Sequence, residues 1–219
     1  MITPETLKKS QSISTYIKKA DEALLALGYT EHSFAHVTRV AAFAESLLLK
    51  LGYDARTAEL AWMAGYLHDI GNIVNRIDHA QSGAVMAFRI LDKMGMDAEE
   101  LSTIISAIGN HDESTAYPVN PVAAALILAD KTDVRRTRVR NNDHVTFDIH
   151  DRVNFAVAHA KTSVNAEDMS ICLALEIDTA LSPVMDYFEI FLDRMLLCRK
   201  AAEKLHLRFR LSINGQELL

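Results

Sequence analysis

The chain has 219 residues, of which 49% are apolar and 24% charged, with a net charge of −6; that is enough to bury a full core, as one large domain or one domain with a smaller appendage. An acidic balance gives no global attraction to nucleic acid or an anionic membrane, and no apolar run reaches transmembrane length. The two cysteines, Cys172 and Cys198, lack paired spacing and read as small apolar residues of a reducing compartment, so the expected location is the cytoplasm.

Residues 4–27 read as a first helix, with Thr3 as N-cap, Pro4 at the first helical position and Gly28 as the stop. The segment 33–51 repeats Phe34, Val37, Val40, Ala41, Ala44, Leu47, Leu48 and Leu51 at helical spacing and ends at Gly52. A third helix runs from the Asp54 cap to about Asp69, and a fourth from the Asp78 cap to about Met94. Asp97 and Glu100 form a capping-box pattern for a helix through Asn110, and Asn120-Pro121 opens the apolar helix VAAALILA, which carries Asp130. Beyond residue 141 the period changes to alternation: Val145, Phe147 and Ile149; Val153, Phe155 and Val157; Ile171, Leu173, Leu175 and Ile177. The stretch 158–169 reads as a hairpin connection. Ser182-Pro183 starts an amphipathic helix to about Leu205, and the tail LHLRFRLSI alternates again. The expected fold class is mainly α: a helical domain over 1–141 and a smaller α+β subdomain over 142–219, with antiparallel strands and one long helix.

Polar residues capable of binding metal recur on or beside these helices. LHDIGN (67–72) places His68 and Asp69 side by side at the end of an apolar helix, where burial makes sense only if something compensates their polarity. FAHVTRVA (34–41), HAQSGA (79–84), AIGNHDE (107–113) and ILADKTD (127–133) add His36, His79, His111 and Asp130. Each alone has an ordinary reading: hydrogen-bonded core histidines at 36 and 68, a loop histidine at 79, a helix-dipole contact at 111 and an ion pair at 130. His32 reads as a rim residue, and His144, His150, His159 and His206 carry no assigned chemistry. Those separate readings leave unexplained why four of nine histidines fall in one order with two aspartates.

The ordered set His36, His68-Asp69, His79, His111, Asp130 resembles the HD superfamily over roughly residues 30–135, in particular members holding two metal ions. The resemblance implies an all-helical HD-domain bundle. In it His36, His68, Asp69 and Asp130 surround one divalent transition metal ion, His79 and His111 complete a second, and Asp69 bridges both as the catalytic carboxylate. Nitrogen and oxygen ligands without thiolate suit iron or manganese, with cobalt, nickel and zinc as alternatives. Two ions about 3.5–4 Å apart would activate a hydroxide and clamp a phosphoryl group for in-line attack. The implied function is a phosphohydrolase cleaving a phosphate ester or nucleotide.

HAQSGA, AIGNHDE and ILAD look like segments of HD-type dinucleoside tetraphosphate hydrolases, although here only ten residues separate Asp69 from His79. The ligand order also resembles HD-type cyclic-dinucleotide phosphodiesterases, but their Gly-Tyr-Pro motif is absent. Two alternatives stay open: a mixed-valent di-iron oxygenase similar to the HD-fold inositol oxygenases, and a metal-stabilised regulatory or oligomerisation module. Asn72 stands where a lysine often follows His-Asp-Ile-Gly in the family, so a phosphate-facing cation is either missing there or supplied elsewhere. Arg39, Lys131, Arg135 and Asn72 itself are the candidate substrate-binding residues. Arg136, Arg138 and Arg140 read equally well as a solvated basic helix end. The expected partner is a small phosphorylated molecule, a nucleotide among the candidates, with no nucleic acid and no membrane; the strand-rich C-terminus suits a homodimer interface or a lid.

Overall fold

The computed structural model describes residues 1–113, 115–140 and 149–219. Two helices, α1 (Pro4–Lys8) and α2 (Gln11–Ala26), replace the single one expected over 4–27. The break falls at Ser10, whose hydroxyl accepts from the Ile13 backbone N at 3.4 Å and so caps α2, while Leu7 and Ile13 are both buried on either side.

α3 (Phe34–Lys50) and α4 (Ala55–Leu67) follow as the spacing predicts. They approach closely because Gly65 has no side chain: a Cβ there would lie 2.8 Å from the Ala41 Cα. That approach occurs one turn before His68 and sets the His68 ring 5.3 Å from that of His36. A 3-10 turn, Ile70–Ile73, leads to α5 (His79–Lys93). Asp78, the expected cap of α5, makes no side-chain cap bond; it turns the chain in the left-handed region at φ 58° and folds α5 back over the 3-10 turn. α6 (Ala98–Gly109) is capped by Asp97, which accepts from Glu99 N at 2.9 Å. α7 (Pro121–Lys131) is buried from Val122 through Ala129, and Asn120 caps it by accepting from Ala123 N at 2.7 Å. It packs against α3, α4 and α6. A helix apolar on every side belongs in the centre, and this one carries Asp130 there.

The C-terminal part contains α8 (Ile149–Ala156), β1 (Val157–Asn165), β2 (Ser170–Ile177), α9 (Val184–Lys204), β3 (Arg208–Ile213) and β4 (Gln216–Glu217). Three expectations need correction here. Residues 149–156 are helical rather than extended: Val153 and Ala156, at helical spacing, are the buried pair. Val145 and Phe147, expected in a strand, lie outside the described residues. The supposed connection 158–169 is mostly strand β1, whose polar residues reflect its position as the outer strand of the described sheet. The sheet, in order β1-β2-β3-β4, is mixed rather than antiparallel: β2 and β3 run parallel from Ser170↔Arg208 to Leu175↔Ile213. Parallel neighbours need a long crossover, and α9 is that crossover. α9 also packs against α7, which brings the C-terminal part to the helical core. The fold class is thus mainly α with a small α+β part. Among the described residues no helix is long and apolar enough to cross a membrane.

Candidate metal centre

Four buried imidazoles converge from four separate places. His36 lies in the first turn of α3, and its Nδ1 is 2.8 Å from Asp133 Oδ2. His68 caps α4, with Nδ1 2.8 Å from the Gly65 carbonyl. His79 opens α5, with Nδ1 3.1 Å from the Arg76 carbonyl, and His111 follows α6, with Nδ1 2.6 Å from the Ile108 carbonyl. Carbonyls and carboxylates only accept, so each Nδ1 carries a proton and Nε2 is the atom left to face a metal, with a free lone pair in the neutral imidazoles and after loss of a second proton at His68. These lone pairs face one another. The Nε2 atoms of His79 and His111 stand 3.3 Å apart, and those of His36 and His68 are buried with no hydrogen-bond partner among the described residues.

The carboxylates close the cluster. Asp69 Oδ2 lies 3.1 Å from His68 Nε2 and 3.6 Å from His36 Nε2, and it too lacks a hydrogen-bond partner among the described residues. Its other oxygen, Oδ1, lies 3.7 Å from His79 Nε2. Asp130 Oδ1 stands 3.3 Å from His36 Nε2 and 3.7 Å from His68 Nε2. Two overlapping groups, His36–His68–Asp130 and His68–Asp69–His111, each bring three ligand atoms within 4.8 Å of one another. Buried acceptors aimed at acceptors are costly unless a cation lies among them, and this donor set of nitrogen and oxygen without sulfur fits a divalent metal ion.

Electrostatics point the same way. Burial opposes ionisation of Asp69 and Asp130, yet the charges of His68 beside Asp69 and Lys131 beside Asp130 hold both carboxyls well below the usual range. Burial also opposes a charge on His68, but Asp69 and Asp130 outweigh it and lift that imidazole to about 10. Burial and the His68 charge push His111 down to about 3, and burial lowers His79. His79 and His111 therefore stay neutral at pH 7, and nothing of their own fills the space between their lone pairs.

Residues 33–135 match the model of the HD domain family. This stretch is an HD domain. The chain is also 27% identical to uncharacterized protein MJ1020 of Methanocaldococcus jannaschii, over 62% of this chain and 61% of that relative's length. A solved structure described as a predicted HD superfamily hydrolase, from an uncultured Thermotogales bacterium, is 23% identical and superposes with a TM-score of 0.46, over 62% of this chain and 75% of that one.

Around the candidate ligand set, three of the four residues expected to touch substrate have other neighbours in the structure. Asn72 is buried, and its Nδ2 donates to Asp69 Oδ1 and to the Asp69 carbonyl, each at 2.9 Å, so it orients the aspartate. Arg135 forks Asp133, with Nε 2.7 Å from Oδ1 and Nη2 3.0 Å from Oδ2, and thereby steadies the carboxylate that holds His36. The Arg39 side chain is 60% exposed, 3.7 Å from Asp133 Oδ1, and it does not line the cavity beside the cluster. Helical spacing put Arg39 one turn from His36 but could not say which way its long side chain leads.

Lys131 does line that cavity, which has a volume of about 590 Å³. Its Nζ lies 2.7 Å from Asp130 Oδ2 and 3.1 Å from Glu113 Oε2. Glu113 also accepts from Arg194 Nε at 2.8 Å, and although burial works against its charge, Lys131 and Arg194 hold its carboxyl far below the usual range. Sequence reasoning missed Asp133, Glu113, Arg76 and Arg194. The first three had a local signal, standing three, two and four residues beyond Asp130, His111 and Asn72 respectively. Arg194 had none, because only the packing of α9 brings it to the cavity.

Proposed function

We propose that this HD domain holds two divalent transition metal ions, iron or manganese first, and hydrolyses a small phosphate ester, with nucleotides among the candidate substrates. The observation that carries this reading is the inward convergence of four Nε2 lone pairs and two carboxylates, all anchored from behind. His36, His68, Asp69 and Asp130 would hold one ion; His79 and His111 would complete the second. Asp69 would serve both ions, a role supported by Oδ2 facing His36 and His68 while Oδ1 is turned toward His79. When bound, such a pair supplies Lewis-acid polarisation of a phosphoryl oxygen and lowers the pKa of water. The protein contributes the rest. Asn72 and Asp133 fix the orientation of Asp69 and His36, and Lys131 offsets the charge of Asp130. A cavity of about 590 Å³ has room for a small phosphorylated molecule. Both cysteines are free, as a reducing cytoplasm would keep them.

The test is elemental analysis of gently purified protein, together with phosphate release from generic esters and a nucleotide panel, metal-free against metal-loaded. The expected result is two ions per chain, one after His79→Ala, and phosphate release that needs metal. One ion per chain, unchanged by His79→Ala and His111→Ala, would leave a mononuclear site. Oxygen consumption by iron-loaded protein without phosphate release would favour the oxygenase alternative.

A further inference from the structure

Four cationic side chains line the cavity: Arg76, Lys131, Arg138 and Arg194. Lys131 and Arg194 are neutralised by Asp130 and Glu113. The other two differ: among the described residues neither Arg76 nor Arg138 forms an ion pair with a carboxylate. Arg138 is only 8% exposed, and its guanidinium is held by backbone carbonyls, with Nε 2.9 Å from Glu31 O and Nη1 3.0 Å from Asp133 O. Arg76 lies between the 3-10 turn and α5, its guanidinium 5.5 Å from the centre of the Tyr29 ring. Its Nη1 is 3.4 Å from Asn72 Oδ1 and 3.3 Å from His79 Nε2. Both charges act on the same neighbour, His32, on the cavity wall.

A buried guanidinium held only by backbone carbonyls, as Arg138 is, is unfavourable, and a second, half-buried one lining the same cavity beside the candidate metal ligands fits an anionic ligand. We infer that Arg76 and Arg138 form the phosphate-binding wall of the cavity, and that Arg76 supplies the cation that Asn72 does not. Two guanidinium groups with no carboxylate at ion-pair distance among the described residues, although Asp133, Asp130 and Asp69 act on Arg138 from farther off, suit a phosphate dianion, the charge carried by a phosphomonoester at neutral pH, over the single charge of a diester. Arg76 is the more direct contact, because its Nη1 already stands at the edge of the His79 lone pair. The inference rests on the phosphoester reading above but concerns residues that hold no metal.

Inorganic phosphate is the probe, titrated calorimetrically into metal-free protein, so that direct metal coordination cannot supply the affinity. Wild-type protein should bind it, Arg76→Ala should weaken binding by about tenfold or more, and Arg39→Ala should leave it unchanged. Arg138→Lys keeps the charge and loses the fork, and should weaken binding too; Arg76, half-buried on the cavity rim, decides the matter if that variant fails to fold. Sulfate and chloride at the same ionic strength control for general charge screening. Failure of metal-free wild-type protein to bind phosphate, or an unchanged affinity in Arg76→Ala, would overturn the inference. Metal content and ester turnover of the same preparations report separately on the dinuclear hydrolase reading, so the two can fail independently.

Discussion

Replacing Asp69 by asparagine changes one atom, and the structure says which way the amide must turn. Asn72 Nδ2 donates to Asp69 Oδ1 at 2.9 Å, so the amide oxygen has to take that place. The reverse orientation sets two NH2 groups face to face and leaves buried donors unpaired, at about 1–3 kcal/mol. The new NH2 is then aimed at His68 Nε2 and His36 Nε2, which lie 3.1 and 3.6 Å from the present Oδ2. A donor thus occupies a ligand position, hydrogen-bonds to the lone pairs the metal needs and removes a negative charge. Loss of an outer-sphere partner alone lowers metal affinity roughly 10–100-fold, so loss of this carboxylate should reach at least about 100-fold, or about 2.7 kcal/mol. Chelator competition gives the affinity, elemental analysis the content and phosphate release the turnover, with circular dichroism checking the helices. The expected outcome is a folded protein without hydrolysis and with little metal. Wild-type metal affinity and turnover in Asp69→Asn would refute the role of Asp69 and with it the dinuclear mechanism.

Three further outcomes follow from the same geometry. Asp133→Asn weakens the charge-assisted bond that holds His36 Nδ1 at 2.8 Å, and chelator competition should show about a 10–100-fold loss of metal affinity; an unchanged affinity would make Asp133 a bystander. In metal-free protein His68 titrates at about 10, because Asp69 and Asp130 outweigh its burial. A metal must displace that proton, so binding near pH 7 should release one from His68 and affinity should rise with pH until about 10; calorimetry in buffers of different ionisation enthalpy measures the release, and none at His68 would contradict the protonated state. Gly71→Ala would drive a methyl group into the His79 carbonyl and the Gly83 backbone nitrogen, forcing α5 away from the 3-10 turn. Thermal melts should show a loss of about 1–3 kcal/mol or more together with reduced metal content, and a wild-type melt would mean that this contact yields freely.

Most of the helical half was legible because its information is local. Helical spacing in 34–51, the Asp54, Asp97 and Asn120 caps and the apolar run 122–129 each fix an element from within. The ligand candidates were legible for a different reason: His36, His68 and Asp130 sit on or beside apolar helix faces, and the order of all six resembles that of the HD superfamily. Alternation misled where its alternatives share a pattern. Val153, Phe155 and Val157 satisfy a strand on paper, but burial of Val153 with Ala156 makes the segment a helix. Strand direction was equally hidden: Ile171, Leu173 and Leu175 alternate alike beside a parallel or an antiparallel neighbour, and only the α9 crossover selects the parallel one. Long cationic side chains were the least legible of all, since their destination depends on which carboxylate the fold brings near. Arg135 went to Asp133 and Arg194 crossed from α9 to Glu113, while Arg76 and Arg138 reached the cavity wall. The sequence alone therefore determined the helices, which depend on each segment's own periodicity, and offered the six candidate ligands through their resemblance to the HD superfamily. Which charges those ligands meet was decided by tertiary packing, because contacts across the chain carry no local period.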